Sequence, residues 1–478
     1  MKRHFLILVF SLLFFPITQG KVKLSAMMGN HMVLQQNSSV KLWGWADGKK
    51  VTVTTSWNNR TYQVSTGKDG AWLVKVDTPK GGYTPYSITI SDGAPVTLSD
   101  ILIGEVWICS GQSNMEMRMM GNAAQPIDNS LEVLLNSGNY RDRIRFITVP
   151  RTNDTERRTD FEKRKWEVSS PETTIDCSAA AYFFARQLTE SLHLPVGLVI
   201  NSWGGSAIEA WMDEPTLKTI EGINIEAAKN PKRGVHQRLE CLYNSMLWPV
   251  KNFTARGFLW YQGESNAGEA FQYRDLMPLM ITDWRNRWGY DFPFYMVQLA
   301  SFTAKQTAPV ESTWAELREA QTRTLHLQNT GMAVAIDIGE EFDIHPKNKQ
   351  EVGRRLALAA RAQTYGEKIP YSGPIYKSYK IEGNKIRIFF DHIDGGLKTA
   401  NGEMPKGFTI AGVDHKFHWA DAVIEGNTVV VSSPEVTLPV AVRYAWADYP
   451  ICNMYNGADL PMSPFRTDDW KGITYVNK

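Results

Sequence analysis

The sequence predicts an α/β protein: a parallel-sheet core with a β-sandwich-like region on either side. Three observations carry this reading. Alternating apolar and polar residues fill 21–99, buried apolar strands alternate with amphipathic helices over 100–368, and β patterning returns over 369–478. At 478 residues the chain exceeds one ordinary hydrophobic core, so two or three domains are expected, bounded at these shifts.

Residues 1–20 read as a secretory signal. Lys2, Arg3 and His4 precede an apolar run over 5–15, Pro16 breaks it, and Thr18-Gln19-Gly20 supplies small residues for cleavage. The run is too short to span a bilayer comfortably, no Cys follows it as a lipid acceptor, and no later stretch suits a membrane helix. The expectation is a soluble exported protein, periplasmic or extracellular, without a membrane anchor.

Within 21–99, segments 40–45, 50–54, 72–76 and 86–90 alternate in polarity, with Gly, Asp and Asn between them, as an antiparallel sandwich requires. In the middle, strands are expected at 101–109, 196–201, 257–261, 294–299 and 332–337. Helices are expected at 179–192 behind a capping Ser178, at 273–288 with a kink at Pro278, at 316–327 and at 349–362. Such alternation argues for a parallel sheet covered on both faces. Beyond residue 370, segments 380–382 and 385–390 flank the turn pair Gly383-Asn384, a hairpin signal, and further strands are expected at 408–411, 422–424, 428–432 and 441–444.

Composition removes several function classes. Hydrophobic residues make up 43% and charged residues 21%, the balance of a globular protein, and a formal net charge of +2 gives no electrostatic case for nucleic acid. The 16 Trp and 18 Tyr suit sugar-binding clefts as well as ordinary cores. Cys109, Cys177, Cys241 and Cys452 lack CxxC spacing, so no zinc site is expected; an oxidising compartment permits disulfides, and buried thiols are equally compatible.

The chemistry concentrates at strand ends. In an open α/β sheet, ligands bind beyond the carboxyl ends of the strands. Four expected strands end in loops of odd composition: Ser110-Gly111-Gln112-Ser113-Asn114, Asn201-Ser202-Trp203-Gly204-Gly205-Ser206, Gln262-Gly263-Glu264-Ser265-Asn266, and Glu340-Glu341-Phe342-Asp343-Ile344-His345-Pro346. Acyl transfer needs a hydroxyl on a tight turn, an imidazole to take its proton, and donors for the oxyanion. Ser113 suits the first role, because Gly111 permits a sharp strand-to-helix turn. His345 suits the second, and Asp343 could hold its other ring nitrogen. Ser206 and Ser265 also sit on Gly-containing turns, where a hydroxyl is more often a cap than a nucleophile.

These residues carry a resemblance. Gly104-Glu105-Val106-Trp107 with Gly111-Gln112-Ser113-Asn114-Met115, Trp260-Tyr261-Gln262-Gly263-Glu264-Ser265-Asn266, and Asp343-Ile344-His345-Pro346 resemble the sialate O-acetylesterase family, carbohydrate esterases of the SGNH-hydrolase superfamily. Tyr444-Ala445-Trp446 and Ser463-Pro464-Phe465-Arg466-Thr467 resemble its C-terminal region. The resemblance implies a flavodoxin-like SGNH core and hydrolysis of acetyl esters on sugars, commonly O-acetylated sialic acids, without metal or other cofactor. It makes Ser113 the nucleophile, His345 the base and Asp343 the acid, and it places the Ser113 N–H and a glycine N–H of the second block in the oxyanion hole, Gly205 matching better than Gly204. The third block departs from the general Gly-x-Asn-Asp pattern, so the side-chain oxyanion donor is Gln262, with Asn266 the alternative. The fourth departs too: Phe342 stands where the wider Asp-x-x-His pattern has its acid, and a Ser–His dyad is the alternative to a triad. Asn114, Glu209 and Gln298 are candidate substrate-binding residues, with Trp211 beside them; Arg318 and Glu319 read as an exposed helix pair. The expected partner is an acetylated sugar or glycan. The competing readings are a xylan or other plant-polysaccharide acetylesterase and a non-catalytic carbohydrate-binding β-sandwich protein.

Overall fold

One strand organises the molecule. Pro95–Gly111 runs for 17 residues, half-exposed at first and buried at every residue from Ile101 onward. Its first half pairs antiparallel with Gly82–Ser91; its second half lies parallel between Val196–Ser202 and Gly257–Tyr261. It therefore passes unbroken through residues 99 and 100, from a sheet with one face in solvent into a sheet covered on both faces. The computed structural model describes residues 22–476, and the expected signal over 1–20 lies outside them.

The core is a large mixed sheet. Its parallel part runs in the order Ile144–Thr148, Val196–Ser202, Pro95–Gly111, Gly257–Tyr261, Phe294–Gln298, Thr330–Val334, with Glu167–Val168 antiparallel at the first edge. Successive side chains of the central strand enter opposite layers, as strand geometry demands. Trp107 and Cys109 pack with Phe183 of helix Ala179–Leu192 and Leu356 of helix Lys349–Gln363. Val106 and Ile108 belong to the other layer, with Leu276 and Trp284 of helix Ala270–Trp288 and Leu317 of helix Thr313–Arg323. Three of these helices start at capping side chains: Ser178, Ser312 and Asn348 accept the N–H of Ala181, Ala315 and Glu351.

On the N-terminal side, Lys23–Leu24, Ser39–Trp45 and Ala71–Asp77 form one sheet, while Lys50–Thr55, Arg60–Ser65 and Gly82–Ser91 extend the core sheet itself. On the C-terminal side, Ile375–Glu382, Lys385–Asp391, Thr428–Ser432 and Asp421–Glu425 form one sheet, and Phe417–Trp419, Phe408–Ala411, Ala441–Tyr444 and Phe465–Arg466 another, around a separate apolar cluster. The expected hairpin is present, with Glu382 opposite Lys385 and Gly383 at φ +66°.

Several expectations are corrected. The strand expected at 332–337 spans Thr330–Val334, because Arg355 binds both the Val334 carbonyl and the Asp337 carboxylate and turns the chain away. Arg318 and Glu319 are not an exposed pair. Arg318 is fully buried and donates to the carbonyls of Leu299, Ala300, Ala447 and Asp448; Glu319 bridges Arg274, Arg323 and Arg466. All four cysteines are free thiols, three of them buried. Among the described residues, no helix is long and apolar enough to cross a membrane.

Candidate active site

The sheet order reverses on either side of Pro95–Gly111, which opens a crevice beyond that strand's carboxyl end. Gly111 makes the exit possible. Its φ is +137°, and a Cβ there would lie 2.2 Å from the Tyr261 carbonyl oxygen of the neighbouring strand. The Gln112 N–H then donates to that same oxygen at 2.9 Å, and the Gln112 Oε1 accepts the N–H groups of Gly263 and Ser265. This clamp presents Ser113 at the start of the short helix Ser113–Glu116.

His345 arrives from the far edge of the sheet. Its Nε2 lies 2.9 Å from Ser113 Oγ. Asp343 Oδ1 accepts the His345 backbone N–H at 2.9 Å and stands 3.4 Å from His345 Nδ1. That backbone bond turns Asp343 inward, whereas Phe342, at the position of the acid in the wider pattern, is 91% exposed. Burial and the charge on Lys349 push the His345 pKa below its ordinary value, against the opposing pull of Asp343.

Beneath the pair lies a buried polar cluster. Asn114 donates to Glu264 Oε1 at 2.6 Å and to the Ile344 carbonyl at 3.1 Å, and its Oδ1 accepts from Lys349 Nζ at 2.5 Å. Burial pushes the Lys349 pKa down to about 7 and raises that of Glu264. Three of the four loops are thus joined through one asparagine.

The second loop supplies backbone donors. Gly205 has φ +74°, and a Cβ on the preceding Gly204 would lie 3.3 Å from the Ser113 Cβ. Gly204 N–H donates to Glu116 Oε2 at 2.7 Å, and Arg151 holds the other oxygen of Glu116. Among the described residues, the N–H groups of Ser113 and Gly205 donate to no other group. Trp203 and His236 stack at 5.9 Å against this loop.

The remaining sequence candidates fall differently. Gln262 and Asn266 are fully buried, and Gln262 directs its NH2 to the Ser206 carbonyl and to Asn266 Oδ1. Asn266 also accepts the Ile208 N–H and donates to Glu209. The two amides therefore pin the Ser206–Glu209 segment rather than bind Ser113. The expected substrate-binding residues Asn114, Glu209 and Gln298 also have partners within the protein. Asn114 binds the cluster above, Glu209 is buried against Asn266, and Gln298 donates to Thr322, Ser463 and the Arg318 carbonyl. Trp211 is a core ring whose Nε1 donates to Ser206, and Ser206 is itself fully buried.

Glu116, Gln125, Glu264 and Lys349 were not singled out from the sequence. Glu264 stands inside the third loop and Lys349 opens the helix after His345, so proximity along the chain offered a signal. Gln125 offered none: Ala123-Ala124-Gln125-Pro126 reads as an ordinary turn.

Beside Ser113 an open cleft of about 1140 Å³ runs past Glu116, Met117, Asn122, Phe146, Arg151 and Lys163, enough for a sugar residue. Among the described residues, no group of three or more His, Cys, Asp or Glu is placed to hold a metal ion.

Residues 103–362 match the family described as carbohydrate esterase, sialic acid-specific acetylesterase. The chain is 30% identical to the sialate O-acetylesterase of Homo sapiens, covering 93% of this chain and 92% of that protein. It is also 30% identical to that of Mus musculus, covering 93% and 94%. A carbohydrate acetylesterase from Xanthomonas citri has a crystal structure that superimposes with a TM-score of 0.86 at 36% identity, covering 94% of this chain and all of that one. The chain belongs to the sialic acid-specific acetylesterase family of carbohydrate esterases.

Proposed function

We propose that the protein is an exported serine esterase that removes O-acetyl groups from carbohydrates, O-acetylated sialic acids foremost, with Ser113 as nucleophile and His345 as base. The observation that carries this reading is the 2.9 Å contact between Ser113 Oγ and His345 Nε2 at a strand-end crevice that opens onto a sugar-sized cleft. Family membership supports the acetyl-ester chemistry, and the sialic acid substrate rests on the names of the relatives.

In this mechanism Ser113 Oγ attacks the acetyl carbonyl carbon while His345 Nε2 takes its proton. Charge develops on the carbonyl oxygen, which the free N–H groups of Ser113 and Gly205 receive. The sugar oxygen leaves with the proton from His345, and an acetyl-Ser113 ester remains. Water then attacks that ester with His345 again as base, which releases acetate. Asp343 stabilises the imidazolium. Gln262 and Asn266 contribute by fixing the loop that carries Gly205.

The strand order favours an SGNH-type, flavodoxin-like core over 100–368, with 21–99 and 369–478 as accessory β regions and 1–20 removed on export to the periplasm or beyond. The test is acetate release from an aryl acetate, from O-acetylated sialic acids and from acetylated xylan, with wild type beside Ser113→Ala. Loss of all release in a folded variant is expected, on the order of 10³-fold or more; retained release overturns the nucleophile, and release from xylan alone overturns the substrate.

A further inference from the structure

Between the expected acid and the expected base sits an amide. Gln125 Nε2 donates to Asp343 Oδ1 at 2.9 Å and lies 3.0 Å from His345 Nδ1. Its Oε1 accepts from Asn122 Nδ2 at 3.2 Å across a tight turn whose ends pair through both backbone N–H groups of Asn122 and Gln125. The amide orientation follows from the partners. A carboxylate oxygen only accepts, so the atom facing Asp343 is the NH2, and the carbonyl oxygen faces the Asn122 donor.

The second N–H of that NH2 points at His345 Nδ1. A ring nitrogen that receives an N–H carries no proton of its own, so the neutral ring keeps its proton on Nε2, facing Ser113. Asp343 does not compete strongly for Nδ1: Oδ1 is 3.4 Å away and already accepts the His345 backbone N–H and Gln125.

We propose that Gln125 is a positioning residue that holds His345 in the Nε2–H tautomer, so that the base becomes competent only when Gln125 yields Nδ1 to Asp343. This rests on the reading of His345 as the base of Ser113. Accepting the Ser113 proton requires a bare Nε2 and a protonated Nδ1, and in the present geometry that Nδ1–H would meet the NH2 of Gln125 instead of an acceptor. Gln125 therefore disfavours both the working tautomer and the imidazolium. The other charges near the ring are Asp343 on its own loop, Lys349 with Glu264 beneath it, the Lys347–Glu340 pair on the loop, and the Arg151-held Glu116 beyond Ser113. None of these contacts Nδ1 as closely as Gln125 does.

The test is nitrogen NMR on full-length protein with isotope-labelled histidine, His345 being assigned from His345→Gln. At a pH where the ring is neutral, wild type is expected to show pyridine-like Nδ1 and pyrrole-like Nε2. Gln125→Leu is expected to reverse this, with Nδ1–H now facing Asp343. Gln125→Glu, whose carboxylate accepts from Nδ1, is expected to give the same reversal and to move the acid limb of kcat/KM up by about one pH unit or more. A pyrrole-like Nδ1 in wild type, or a wild-type pattern in both variants, overturns the proposal. Should Gln125→Leu fail to fold, Gln125→Glu alone decides. Because the tautomer is read without turnover, an active Ser113→Ala variant would overturn the esterase reading while leaving this measurement to stand or fall by itself.

Discussion

The turn that presents Ser113 leaves no room for a side chain at position 111. A methyl there would sit 2.2 Å from the Tyr261 carbonyl oxygen, at a φ of +137° that L-residues rarely adopt. Gly111→Ala is expected to destabilise the fold by about 1–3 kcal/mol and to displace the nucleophile, read as a lower melting temperature with acetate release falling out of proportion. His345 makes a second prediction at this scale. A base works unprotonated, so activity is present above its pKa and is lost as pH falls through it. Burial and Lys349 push that pKa below 6.5, so the acid limb of kcat/KM is expected below pH 6.5. Lys349→Met removes the cation that disfavours the imidazolium, so the limb should move to higher pH; a limb that stays or moves down contradicts the assignment. Ser113 and His345 could be named from their loops because each loop is locally unusual. Gln125 could not, since its importance lies in touching residues 218 and 220 positions away.

Secondary elements were legible where local signals agree. Helix Ala179–Leu192 coincides with the expected span because a Ser cap, an apolar face and a left-handed His193 at its end all mark the same limits. Strand Gly257–Tyr261 coincides because its five residues are apolar and buried between two parallel neighbours. The extension of the central strand back to Pro95 was not legible, since residues 95–100 alternate like the sandwich that precedes them. Helix Thr313–Arg323 shows what patterning conceals. Arg318 reads as a surface residue, yet its guanidinium is the partner of four carbonyls from two regions of the chain. Trp314 Nε1 and the Phe302 N–H also donate to the Ala300 and Asp448 carbonyls, so Arg318→Met is expected to leave those of Leu299 and Ala447 unpaired, at about 1–3 kcal/mol each. A large drop in melting temperature with an unchanged pH profile would agree; a melting temperature within a degree or two of wild type would not.

Across the whole molecule, the C-terminal segment is tied to the core by buried polar contacts. Glu316, fully buried, accepts the Ile473 and Thr474 N–H groups and the Thr474 hydroxyl. Arg466 donates to Glu319 at 3.1 Å, and Gln298 donates to Ser463 at 2.9 Å. Removing residues 463–478 would leave the Glu316 carboxylate buried without these donors, a state that costs several kcal/mol. The shortened protein is expected to be insoluble or to melt far below wild type, measured by expression and calorimetry; full solubility with unchanged melting would show these contacts to be dispensable. Ser463 and Arg466 of the C-terminal motif act as partners of the esterase helix and strand.

By itself the sequence determined what depends on near neighbours: the alternation of strands and helices, the caps, the hairpin at Gly383-Asn384, and the four polar loops among which Ser113 and His345 stood out. Hydrophobic period, turn chemistry and capping are local properties, so they can be read along the chain. Only the tertiary structure decided which polar atoms remain free. Gln262 and Asn266 were expected as oxyanion donors, and their amides bind Ser206 and Ile208; Gln298 was expected as a sugar contact, and its amide donates to Thr322 and Ser463. A buried polar group takes whatever partner the fold brings within about 3 Å, and that partner can come from anywhere in the sequence.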